Sequence, residues 1–170
     1  TSEDRRIFAD AAGFAARIDS ALRAPVFEGK QADTLEIFRS HIEPFNASLR
    51  RIFGDEPATT IQLKSYYFPD PAKPVQLWFQ KGDSRIPFDL LSHGEKQIVI
   101  LLLGFVVRRD RHPEAIYFID EMDLHLNTAL QKAVLREIVE EWVPADGQLW
   151  TATHALGFIE YANESDSAVT

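Results

Sequence analysis

Three short segments put hydroxyl, carboxylate and imidazole groups where phosphate chemistry needs them. Leu91-Ser92-His93-Gly94-Glu95-Lys96-Gln97 opens an apolar helical run, Ala115-Ile116-Tyr117-Phe118-Ile119-Asp120-Glu121 ends an apolar strand on two carboxylates, and Gln148 to Thr153 leads into His154. A serine hydroxyl beside the first-turn amides of a helix forms an anion site that suits a γ-phosphate. At the carboxyl edge of a parallel strand, one carboxylate can orient the water shell of magnesium while its neighbour takes a proton from attacking water. A histidine ending the next strand can hydrogen-bond a phosphate oxygen or that water.

Each segment also has a plainer reading. Ser92 followed by Glu95 is the pattern of a capping box, which an ordinary helix start explains. Asp120-Glu121 can be an acidic turn after a strand, and Asn127 reads as the N-cap of the helix built on Leu130, Val134, Ile138 and Trp142. Taken alone, His154 reads as structural. The joint order of the three segments is what these readings leave unexplained. Asp123 follows the carboxylate pair as a further acid, and a metal cluster of Asp120, His125 and His154 has no tight spacing to support it. No Gly-x-x-x-x-Gly-Lys-Ser/Thr occurs; Gly29-Lys30 is followed by Gln31 and lacks the earlier glycine, so it is not a phosphate loop.

The elements that must carry these groups follow from periodicity. Apolar residues at Ile7, Ala11, Phe14, Ile18 and Leu22 predict an amphipathic helix. After the Pro25 and Gly29 break, Leu35, Phe38, Ile42, Phe45, Leu49, Ile52 and Phe53 predict a second, with a kink or restart near His41 imposed by Pro44. Thr59 to Phe68 and Val75 to Gln80 read as a hairpin or meander. Helix and strand then alternate: helix 92–108, strand 115–120, helix 128–142, strand 148–153 and the start of another helix. Both strands are continuously apolar, as strands covered on two faces should be, so this part is expected to be α/β with a parallel sheet.

With 170 residues and 45% apolar content the chain can bury a core. Its 18 basic and 26 acidic residues give a formal charge of -8, which argues against general attraction to nucleic acid or anionic membrane. The absence of cysteine excludes disulfides and thiolate metal sites and fits a reducing cytoplasm. The apolar run from Ile98 to Val107 is too short to span a bilayer. A start at Thr1 and an end shortly after the last strand suggest a piece of a longer protein.

Together, these motifs resemble the second lobe of an ABC-type ATPase head, in the AAA-family branch of structural-maintenance-of-chromosomes, RecF-type and overcoming-lysogenisation-defect-type ATPases. Leu91 to Gln97 resembles the signature motif, Ala115 to Glu121 Walker B, Met122 to Asn127 the D-loop, and His154 the switch histidine. The resemblance covers roughly Pro87 to Ile159. It implies a helical insertion or lid over residues 1–56 and a carboxy-terminal lobe of a P-loop NTPase, ABC type, over 57–170, with the Walker A lobe absent. ATP and magnesium are the implied cofactors. Ser92, His93, Gly94 and Glu95 would form the phosphate-contacting turn, Asp120 would support magnesium, and Glu121 would be the general base. His154 would hold the γ-phosphate, and Asp123 and Asn127 would lie at the interface with a second head. His93 departs from the small residue usual at its position. Implied partners are a second head in a homodimer, the missing Walker A lobe of the same protein, and an effector protein or DNA. A cytoplasmic location is implied, with no membrane association.

DNA repair, chromosome handling and antiphage defence all use such heads. Two other classes stand beside the ATPase: a regulatory or scaffolding module that kept the lobe but lost catalysis, and a magnesium-dependent nuclease built on Asp120, Glu121 and Asp123.

Overall fold

A computed structural model of the chain describes residues 2–70, 74–110, 112, 114–120 and 126–168, with side chains described from Phe8 onward. The chain divides into two compact units, Thr1–Leu91 and Ser92–Thr170. The β-meander therefore groups with the amino-terminal helices.

The first unit opens with α1 (Ser2–Phe27), longer than the expected helix, with Pro25 inside its last turn. Gly29, at φ 69°, takes the left-handed conformation that lets the chain leave the helix end. Then come α2 (Thr34–Ile37), a π-helical turn at Phe38–Ile42 and α3 (Glu43–Phe53), with Pro44 at the start of α3. The break expected near His41 is thus a wide turn that ends two residues before the proline, which lacks a backbone donor and suits a first helical turn.

Ala11, Phe14, Ala15 and Ile18 of α1 are buried, as are Phe45, Leu49 and Ile52 of α3, and the Phe14 and Phe45 rings lie 5.7 Å apart. The strands β1 (Gln62–Tyr67), β2 (Gln76–Lys81) and β3 (Ser84–Pro87) form an antiparallel meander in that order. Residues two apart share a face, so Leu77 and Phe79 turn inward together, and Leu63 stands opposite Phe79 in the register. β3 was not anticipated; Gly82 (φ 55°) and Asp83 form the two-residue turn that pairs Lys81 with Ser84.

Polar links tie helix to sheet. The Asn46 side chain accepts from the Leu63 N–H at 2.7 Å and donates to the Leu63 carbonyl at 3.1 Å. The Tyr66 hydroxyl donates to Asp19 Oδ1 at 2.6 Å.

The second unit follows the expected alternation: α4 (His93–Arg108), β4 (Ile116–Asp120), α5 (Thr128–Glu137) continued by a π-helical turn at Ile138–Trp142, β5 (Gln148–Ala152) and α6 (Leu156–Glu164). β4 and β5 are parallel, with Phe118 opposite Trp150 and Asp120 opposite Ala152. Ile98, Val99, Leu102, Leu103 and Phe105 of α4 and Val134, Leu135, Ile138 and Trp142 further on are buried. Phe105 meets Tyr117 of β4 with ring centroids 4.9 Å apart, and Arg109 stacks 5.4 Å above the Trp142 ring. The expectation that both faces of β4 and β5 are covered does not hold. Ile116, Phe118 and Trp150 are 53%, 74% and 58% exposed, because α4 covers the Tyr117 face and no described residue covers the other. Among the described residues, no helix is long and apolar enough to cross a membrane.

Candidate functional site

The turn that opens α4 is held by a complete capping box. Ser92 stays extended (φ -60°, ψ 161°), its Oγ accepts from the Glu95 N–H at 3.4 Å, and its own N–H donates to Glu95 Oε2 at 2.8 Å. Glu95 is 6% exposed, whereas Ser92 and His93 are exposed and Gly94 half-buried. The carboxylate thus shapes the turn from within while the serine hydroxyl reaches solvent. As an acceptor within the cap, that hydroxyl keeps its proton for donation to a ligand oxygen. Glu95 acts on this turn through Ser92.

Asp120 ends β4, exposed, on the same sheet face as Ile116 and Phe118. Its register partner Ala152 lies two residues before His154, so the pairing brings the aspartate strand and the histidine segment to one end of the sheet. His154 is exposed, in a short turn stabilised by the Ala155 N–H donating to Thr153 Oγ1 at 2.9 Å. Asn127 caps α5, its Oδ1 accepting from the Leu130 N–H at 2.9 Å, as expected from the sequence. Glu121 and Asp123, the expected base and interface acid, lie outside the described residues, as does His125.

This donor set fits the groups that the motifs imply. Asp120 offers a hard, exposed oxygen at the carboxyl end of parallel strands, the ligand type magnesium takes while keeping several waters. Ser92 and the first turn of α4 offer donors to an anionic oxygen. Neither is matched by a phosphate-loop lysine, which the sequence lacks.

Behind the site, burial pushes the Tyr117 phenol above its ordinary range against the opposing pull of Arg109 and Arg108. In α6, burial foremost and then Glu140 raise that of Tyr161. Two residues that sequence reasoning did not single out, Gln131 and Gly157, join the turns on either side of the site. The Gln131 side chain donates to the Leu126 carbonyl at 3.0 Å and accepts from the Gly157 N–H at 3.1 Å. A glycine in the first turn of a helix was the one visible signal.

No protein-family profile and no curated protein matches the chain. Among solved structures it is similar to the Smc head domain with an extended coiled coil bound to the C-terminal domain of ScpA from Pyrococcus furiosus. That likeness has a TM-score of 0.50 and 17% identity, and covers 74% of this chain and 31% of that one. It is also similar to an Smc head bound to the C-winged helix domain of ScpA, with TM-score 0.51, 21% identity, and 73% and 37% of the two chains covered. A third likeness is to a structure describing ATP-driven dimerization and DNA stimulated activation of SMC ATPases, with TM-score 0.51, 20% identity, and 78% and 76% covered. The chain spans about a third of the length of the first two, 31% and 37%. At these identities the likeness establishes an α/β fold with a parallel strand pair and helices, and that fold is the one seen in SMC head domains.

Proposed function

We propose that this chain supplies the carboxy-terminal lobe, residues 57–170, of an ATP-hydrolysing head of the ABC type. The observation that carries the reading is the pairing of an exposed, preformed serine turn at α4 with an exposed aspartate whose strand neighbour leads to His154. A short return from α4 to β4, with Phe105 packed on Tyr117, favours an antiparallel run of helix and strand. That run would bring the Ser92 turn toward the Asp120 end. The bare face beside Asp120 supports a further layer, and the lobe of the same protein that carries the phosphate loop is its proposed occupant.

In this reading Ser92, His93 and Gly94 meet the γ-phosphate of ATP bound chiefly by a second head, and Asp120 holds the water shell of magnesium. Magnesium supplies charge neutralisation at the phosphates. Glu121 takes the proton of the attacking water, His154 donates to the γ-phosphate, and Asp123 and Asn127 line the interface between two identical heads. Head closure would drive an attached arm or effector, acting on protein or DNA. This work belongs to the cytoplasm.

The test is phosphate release by the full-length protein with Mg-ATP. Asp120→Asn and Ser92→Arg are each expected to lower turnover by about 100-fold, and Glu121→Gln to trap ATP-bound dimers on size-exclusion chromatography. Unchanged turnover in all three variants would sink the reading. Calorimetry with the 170-residue chain alone should show no tight ATP binding, because the β-phosphate cradle is not in it.

A further inference from the structure

α6 begins without a side-chain cap of its own: its N-cap residue, Ala155, makes no side-chain hydrogen bond. First-turn amides of a helix have no acceptor within the helix. Here the Gly157 amide finds one on another helix, in the Oε1 atom of Gln131 at 3.1 Å, while the other end of the same side chain donates to the Leu126 carbonyl at 3.0 Å. The contact needs glycine. A Cβ at position 157 would lie 2.3 Å from the Thr128 carbonyl oxygen, 2.7 Å from Gln131 Cβ and 2.8 Å from the Lys132 nitrogen. α6 therefore presses backbone to backbone on the first turns of α5, and Lys132 pairs with Glu164 at 2.6 Å near its far end.

One neutral amide thus joins two turns. Leu126 directly precedes the α5 cap residue Asn127, and Gly157 stands three residues after His154. We infer that Gln131 is a positioning residue that fixes the His154 turn against the Leu126–Asn127 turn, so that the two keep one spacing. Its consequence for phosphate chemistry rests on the function proposed above; the brace itself does not. An amide is required because the two bonds need an acceptor and a donor on one side chain. A carboxylate supplies only acceptors and would face the Leu126 carbonyl, and a thioether supplies neither strong partner.

The experiment compares Gln131→Met and Gln131→Glu with the wild type in the full-length protein, by three readouts. Amide exchange in the peptide containing Gly157 is expected to rise about tenfold in Gln131→Met, with exchange of the buried α4 segment around Leu102 unchanged. Exchange of the Leu130 amide, which donates to Asn127 Oδ1 in the turn after Leu126, is expected to rise in the same variant. A merely structural role would lower kcat and raise KM together. The kcat for ATP should instead fall about tenfold or more with KM little changed. Gln131→Glu, which retains the acceptor for Gly157 but not the donor to Leu126, should keep the Gly157 amide protected while Leu130 exchange still rises; it carries the test if Gln131→Met does not fold. Unchanged Gly157 exchange in Gln131→Met, or unchanged Leu130 exchange in both variants, overturns the proposal. If the wild type releases no phosphate, the ATPase reading fails while the two exchange readouts still decide the brace.

Discussion

In the antiparallel sheet, the inward residues Leu63, Leu77 and Phe79 are 3%, 3% and 0% exposed, whereas in the parallel pair Ile116, Phe118 and Trp150 are 53%, 74% and 58% exposed. The compositions would suggest the reverse. β1 and β2 mix apolar with polar residues, as a sheet with one wet face should, and helices α1 and α3 supply its dry side. β4 carries four apolar residues before Asp120, yet among the described residues only its Tyr117 face is covered. The Phe118 and Trp150 rings lie 6.0 Å apart on the bare side, where their packing depends on each other. In the proposed function this apolar surface, which ends at a carboxylate, is where the phosphate-loop lobe packs. The first sheet is a closed layer, and the second is left open on one side.

This contrast can be broken most forcefully at Phe79. Phe79→Ala removes a fully buried ring and is expected to cost about 4 kcal/mol, read as a lowered denaturant midpoint; a loss near that of an exposed site would dissolve the distinction between the sheets. A smaller effect is expected at the edge of the second unit. Ser92→Ala removes the hydroxyl acceptor of the capping box and should cost about 1 kcal/mol by the same measurement, whatever the protein binds.

In the first unit, Tyr66→Phe tests the link from β1 to α1 and should cost at most about 1 kcal/mol. Burial, and then the bond to Asp19, push this phenol up to about 12. A raised pKa means that the folded state holds the proton more tightly than the unfolded state. Its stabilisation should therefore be full below the ordinary value of 10.0 and fade as pH rises through about 12. Tyr66→Phe should flatten that alkaline loss. The smallest change is expected at the bare face: Phe118→Ser should alter stability by about 0.5 kcal/mol yet clearly reduce binding of a fluorescent apolar dye. A large destabilisation there would mean that the face is covered after all.

Much of the fold was legible in the residues, though not this contrast, and the reasons for the misses are physical. The helix periods, the Ser92-Glu95 box and the Asn127 cap were readable because each depends on neighbours within a few positions. The order α4, β4, α5, β5 followed from the switch between helical and strand patterns. Continuous apolar strands state what they can bury but not what reaches them, so the cover of β4 and β5 was misjudged. β3 escaped because Ser84-Arg85-Ile86-Pro87 is short and polar, although the Gly82-Asp83 turn signal was present. At the site, the sequence placed Ser92 and Asp120 at element ends, where they stand, and His154 at the end of a strand that instead stops at Ala152. It could not show Gln131 reaching both Leu126 and Gly157, because a long-range polar contact leaves no periodic trace.

The side chain of Asn46 has a consequence for the molecule in company. By accepting from and donating to the backbone of Leu63, it occupies hydrogen-bonding groups that a β-strand from a neighbouring molecule would otherwise seek. A helix thereby closes a point where the meander could be extended. Crowded copies of the chain are denied one point of edge pairing.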